Sequence, residues 1–203
     1  MKVVAVNGSP RTGSNTGAAI EMVFSELRKE NIETELINIG NKPFRGCTAC
    51  AACHKIGYCA FDDGAVEIID KMRAADGIII GSPVYYAGIN GTLKSFLDRA
   101  FFSSGTAFRF KPCASVVVAR RSGVTAAIEQ INKYFQIAEM LITPTIYWSG
   151  IHGGAPGEVS EDIEGAQMMT QIGKNMAYLL KIMEGSKAHL PDREQKIKFS
   201  YIR

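Results

Sequence analysis

Residues 2–16 read KVVAVNGSPRTGSNT, an apolar run that breaks into a loop of glycine, proline and hydroxyl residues. The run predicts a buried strand. Beyond it a helix opens, in which Ala18, Ile20, Val23, Phe24 and Leu27 recur at three- and four-residue steps. In doubly wound folds a loop in this place binds phosphate, because free backbone N–H groups point into it from the positive end of the helix dipole. Three known loops compete for the position. A dinucleotide fingerprint needs G-x-G-x-x-G, and only Gly8 and Gly13 are in place. A Walker loop needs Lys after Gly13, where Ser14 and Asn15 stand. A phosphorylatable receiver domain needs acidic residues at the strand ends, where Asn7 and Ser82 stand. What remains is a hydroxyl-rich loop, Ser9, Thr12, Ser14, Asn15 and Thr16, with one fixed cation at Arg11. It suits a single terminal phosphate monoester and offers more than an ordinary N-cap requires.

Three further runs, DGIIIGSP (76–83), CASVVVAR (113–120) and EMLITPTIYW (139–148), are short and nearly all apolar, as strands buried on both faces must be. ETELINI (33–39) alternates and is a fifth strand, suited to an edge. Helices are expected near 15–30, 63–74, 90–101, 123–137 and 161–183. Strand and helix in strict succession predict an α/β fold, a doubly wound five-stranded parallel sheet with helices on both faces. The 203 residues fit one domain, residues 1–185, with a tail over 186–203. The tail mixes charges around Leu190, Ile197, Phe199 and Ile202, and two readings stay open, a solvated tail or an arm laid on a neighbouring subunit.

The net charge is +3 with the basic residues scattered, so no nucleic-acid partner is expected. No run approaches the ~18 apolar residues that span a bilayer, so no membrane partner is expected either. MKVVAVNGSPRTG reads as a strand and not as a signal peptide, which makes the expectation a cytoplasmic protein. There a cysteine cluster more often binds metal or does chemistry than forms disulfides.

GSPVYYAGINGTLKSFLDR (81–99) leaves a central strand and enters a helix. Pro83 fixes its backbone, Gly88 and Gly91 allow close approach to a ligand, and Tyr85 and Tyr86 offer planar faces. A monophosphate at one loop and a flat ring at the other describe flavin mononucleotide (FMN).

With these motifs the chain resembles the flavodoxin-like NAD(P)H-dependent FMN reductases, and within them the iron-sulfur flavoproteins. The resemblance runs from Val3 to about Leu180 and also includes GIHGGAPGEVSEDIEGAQ before the last helix. It implies a flavodoxin-like fold, with Ser9, Arg11, Ser14, Asn15 and Thr16 on the FMN phosphate and Pro83, Val84, Tyr85, Tyr86 and Gly88 bordering the ring. The third contact loop implied is ARRSG, with Arg120 and Gly123; Arg120 and Arg121 either assist flavin, bind a nicotinamide nucleotide or stay solvated. The activity implied is an FMN oxidoreductase passing electrons from NAD(P)H to a quinone, a flavin or another small acceptor. Its chemistry belongs to the cofactor, so no catalytic side chain is named. The alternative is an iron-sulfur flavoprotein carrying electrons to and from ferredoxin-like proteins. A homodimer or homotetramer is implied by the family.

FRGCTACAACHKIGYCAFDD (44–63) holds four of the five cysteines, Cys47, Cys50, Cys53 and Cys59, spaced C-x-x-C-x-x-C-x5-C. Three cysteines at steps of three can wrap three corners of a cubane, and a fourth can close a [4Fe-4S] site. The run departs from the ferredoxin pattern in its longer last gap and in Ala60 where proline would follow. Zinc and plain packing thiols remain open alternatives. The iron-sulfur relatives carry such a compact motif in this part of the chain. Asp62 and Asp63 are read as caps of the following helix, and His54 as solvated.

Overall fold

In the computed structural model, which describes residues 1–186, 188–195, 197, 199 and 201, Lys2–Asn7 forms strand β1. Its side chains alternate, so Val3 and Ala5 enter one core layer and Val4 and Val6 the other, all without solvent exposure. The chain continues through α1 (Asn15–Lys29), β2 (Glu33–Asn38), the single-turn α2 (Cys53–Ile56), α3 (Ala65–Ala74), β3 (Gly77–Pro83) and α4 (Gly91–Ser104). A 3-10 turn at Gly105–Phe108 leads to β4 (Pro112–Ala119), α5 (Val124–Ile137), β5 (Leu141–Ile142), β6 (Gly150–His152) and α6 (Ile163–Gly185). Every strand pairing is parallel, in the order β2-β1-β3-β4-β5, with β6 also on β4. The fold is the expected flavodoxin-like one, with α1 and α6 packed on one face and α3, α4 and α5 on the other.

The strand count differs from expectation, six against five. The predicted run 139–148 pairs only at Leu141–Ile142, opposite Pro112–Cys113, and the edge resumes when Ser149 O accepts from Val117 N at 3.2 Å. Pro144 has no N–H to give to the ladder, so the chain swings off the sheet and returns as β6 against Val117–Ala119. One edge position is thus filled by two short pieces.

Lys111, just before β4, shows how the layers are tied. Its Nζ donates to the carbonyls of Arg73 at 2.5 Å, Met72 at 3.5 Å and Ala75, and so caps the C-terminal end of α3. Lys111→Met leaves these carbonyls unpaired and is expected to cost about 2 kcal/mol, read as a lower urea midpoint at unchanged slope.

Among the described residues no helix is long and apolar enough to cross a membrane. Residues 188–195 are exposed and meet the body where Arg193 Nε pairs with Glu139 (2.5 Å) and Arg109 donates to Pro191 O (3.2 Å). Ile202, part of the tail reading, lies outside the described residues.

Candidate functional site

Three loops meet at the carboxyl edge of the sheet, around the point between β1 and β3 where the strand order reverses. They enclose a cleft of about 220 Å³. Ser9, Arg11, Thr12, Gly13, Ser14, Asn15 and Thr16 form one wall, and Pro83, Val84 and Tyr85 another. Val118, Arg120, Gly153, Gly154 and Pro156 close it. The structure therefore gathers nine of the twelve residues expected at the flavin. Tyr86, Gly88 and Gly123 stand outside this wall and build the turn behind it.

The loop after β1 is held open by its own polar residues. Asn7, buried at the end of β1, accepts from Ser9 N (2.9 Å) and donates to Ser14 Oγ (3.3 Å) and Asn38 Oδ1 (2.8 Å). Ser14 caps α1 by accepting from Gly17 N at 3.0 Å, and Ser9 Oγ accepts from Arg11 N at 3.4 Å. Both hydroxyls are thus engaged as acceptors of N–H groups, which leaves their protons for an anion. The backbone N–H groups of residues 12–16 donate to no protein acceptor among the described residues. This donor-rich concavity fits a phosphate. The Asn15 side chain acts elsewhere. It donates to Ala155 O and accepts from Gly157 N, both at 2.8 Å, clamping the 153–157 loop over the start of α1. Thr16 is 1% exposed, so its contribution to the cleft is backbone.

The loop after β3 is a tight hairpin. Tyr85 and Gly88 exchange two N–H···O bonds of 2.9 Å across Tyr86 (φ 48) and Ala87 (φ 56). Two successive positive φ angles are a type I′ requirement that Asn-Gly meets without strain and Tyr-Ala does not. Gln130 pins the turn from α5, accepting from Ile89 N at 2.9 Å. Gly123 (φ 94) lets the third loop press against it: a Cβ there would lie 2.8 Å from Ala87 Cα and 2.9 Å from Val84 Cγ1. Tyr86 consequently stands fully in solvent at the mouth of the cleft. Ala87→Gly is expected to raise stability by about 1 kcal/mol, seen as a higher melting temperature of the flavin-free protein.

A larger cavity of about 510 Å³ lies on the other flank of the first loop, toward Leu36, Asn38, Gly40 and Asn41. It shares the loop residues but touches neither the tyrosine turn nor the loop after β4, so it offers nothing for a ring.

The cysteine loop lies at the far side of α4. All five cysteines are free thiols; Cys47 and Cys50 are exposed, Cys53 and Cys59 half-buried, and Cys113 is buried in β4, where burial pushes its thiol up. Ala49 (φ 53) and Ala51 (φ 56) are left-handed on either side of Cys50. This alternation of backbone hand is the arrangement that turns successive N–H groups toward an anion, iron-sulfur clusters included. Burial raises the Cys53 thiol, and the Cys59, Cys50 and Cys47 thiols of the same loop push it the same way. They are gathered rather than converged, since among the described residues no three His, Cys, Asp or Glu side chains stand at ligating distance. His54 is not simply solvated; its ring stacks on Phe102 at 5.1 Å.

Sequence reasoning missed Arg99. It is buried on α4 and donates to Asp63 (2.5 and 2.8 Å), Phe61 O (3.2 Å), Cys59 Sγ (3.3 Å) and Arg45 O (3.4 Å). Asp63, read as a helix cap, does accept from Ala65 N at 3.3 Å, but its main partner is this guanidinium. Burial opposes ionisation of Asp63, but the hydrogen bond and charge of Arg99, together with the Ala65 and Arg45 N–H groups, outweigh it and hold the carboxyl below its usual range. The only sequence signal was a charged residue on the core-facing stripe of a helix.

A phosphate-receiving loop and a tyrosine turn meeting at the switch point of a flavodoxin-like sheet define a flavin-dependent oxidoreductase. The chain belongs to the NADPH-dependent FMN reductase family, whose family model matches residues 1–154. It is 35% identical to an iron-sulfur flavoprotein of Methanocaldococcus jannaschii over 91% of this chain and 100% of that one. With an iron-sulfur flavoprotein of Methanosarcina thermophila the identity is 31%, over 91% and 97% of the two chains. In fold it is similar to a flavodoxin from the domain Archaea, with a TM-score of 0.60 at 18% identity over 89% and 99% of the two chains.

Proposed function

We propose that the protein takes electrons from NAD(P)H and passes them to a quinone, a flavin or another small acceptor. The observation that carries this reading is the single cleft shared by the anion-receiving loop and the tyrosine turn. FMN, when bound, supplies the exchange between hydride and single-electron transfer. The chain supplies the placement. Its phosphate would rest on the hydroxyls of Ser9 and Ser14, the Arg11 guanidinium and the free N–H groups of residues 12–16, Asn15 and Thr16 among them. Pro83, Val84 and Tyr85 would border the ring, with Tyr86 at the mouth and Gly88 and Gly123 shaping the turn. Arg120, exposed on the facing wall, would receive a phosphate of the nicotinamide nucleotide.

A second reading is favoured by the left-handed alternation at Ala49 and Ala51: a [4Fe-4S] cluster on Cys47, Cys50, Cys53 and Cys59, exchanging electrons with a ferredoxin-like protein. We also infer a cytoplasmic homodimer or homotetramer. Ile142, Ile146, Tyr147 and Trp148 form an exposed apolar strip at the broken sheet edge, a surface that self-association would cover.

Anaerobic stopped-flow mixing of the flavin-loaded protein with NADPH and NADH tests the first reading. Rapid bleaching of the flavin band by either nucleotide supports it. Reduction only by a reduced ferredoxin selects the second, and failure to bind FMN overturns both.

A further inference from the structure

Cys47, Cys50 and Cys53 follow at three-residue steps, so the backbone of their own loop can gather them. Cys59 lies beyond α2 and the left-handed Gly57 (φ 82), and something outside the loop must place it. Arg99 does so. One carboxylate, Asp63, is enough to pair its charge; the other three acceptors are Arg45 O, Cys59 Sγ and Phe61 O. They lie two residues before the first cysteine, at the last cysteine and two residues after it. Arg99 also faces the Phe61 ring at 5.5 Å, with Arg45 over the same ring at 4.3 Å, so both ends of the loop are stapled at one point. Burying a charge is expensive, and an apolar side chain would fill this place on a helix that also buries Leu93, Phe96, Leu97, Ala100 and Phe101. A planar fork reaching four loop groups is what an apolar residue, or a lysine with one nitrogen, cannot supply.

We propose that Arg99 is the positioning residue of the fourth cysteine, tying the two ends of the loop together and holding the Cys59 sulfur toward the other three. This rests on the reading of the loop as a cluster-binding site. The helix that carries Arg99 is capped by Asn90, just after the tyrosine turn, so one element joins that turn to the cysteine loop.

The test compares wild type, Arg99→Lys and Cys59→Ser, purified anaerobically and assayed for iron, acid-labile sulfide and FMN. Arg99→Lys is expected to keep its FMN and to fall to the iron content of Cys59→Ser. In iron-free protein the lysine keeps a positive charge near the sulfur while releasing half-buried Cys59 to solvent, so iodoacetamide should then modify Cys59 at least about tenfold faster in Arg99→Lys than in wild type, with Cys47 unchanged. A general loss of packing would not select Cys59. Wild-type iron content in Arg99→Lys, or an unchanged Cys59 rate, overturns the proposal. Equal rates at Cys59 and Cys50 in wild type overturn it even if the lysine variant fails to fold. Should wild type itself hold no iron, the cluster reading fails, and the alkylation rates alone decide the role of Arg99.

Discussion

Gly40→Ala is expected to weaken FMN binding by about a hundredfold although Gly40 lies outside the flavin cleft. The residue follows β2 and lies against the first loop. A Cβ there would stand 2.2 Å from the Ser9 carbonyl carbon, 2.3 Å from its oxygen and 2.4 Å from Pro10 N. These are backbone atoms that cannot rotate aside, so the loop must move and take Ser9 and Arg11 with it. Losing two charge-assisted hydrogen bonds to a phosphate, about 1.5 kcal/mol each, accounts for that factor. Titration of the flavin-free protein with FMN measures it, and circular dichroism shows that the sheet survives. Unchanged affinity would mean that the phosphate does not sit at this loop.

Asp63→Ala should be the most destabilising change at the surface of the cysteine loop, at about 3 kcal/mol in urea unfolding at neutral pH. It strands the Arg99 guanidinium, whose side chain has no solvent exposure to compensate. Removing one partner of a buried pair costs about 3–5 kcal/mol, and the partial exposure of Asp63 places the effect at the low end. Because the folded carboxyl is held below its usual range, this stabilisation is complete above the unfolded-state value of about 3.9 and disappears as pH falls through the folded value. Wild type should therefore lose stability below about pH 4, and the alanine variant should lose less over the same interval. Parallel acid profiles for the two proteins would show that Asp63 does not anchor the loop.

The two effects differ in how far they could be foreseen. The phosphate loop is local: KVVAVN must be a buried strand, and the hydroxyls after it fall at a helix N-terminus by sequence spacing alone. The meeting of this loop with the tyrosine turn was expected from the same alternation, which puts both at the carboxyl edge of the sheet. Pro144 was also in plain view, yet the run around it read as one strand, because hydropathy does not register a missing N–H. Gly40, Gln130 and Arg99 gave no usable signal, since each acts on residues between 30 and 54 positions away or on backbone that only the fold brings near.

The sequence by itself determined the alternation of strand and helix behind the parallel doubly wound sheet, the run of hydroxyl residues after β1 and the spacing of the four cysteines, because these are patterns of residues close together along the chain. The tertiary structure alone decided that the tyrosine turn is strained into the cleft mouth, that Asn15 clamps a loop 140 residues away, and that Arg99 holds the cysteine loop. The physical reason is that a buried polar group must find its partners wherever the packed chain places them, and no local pattern records where that is.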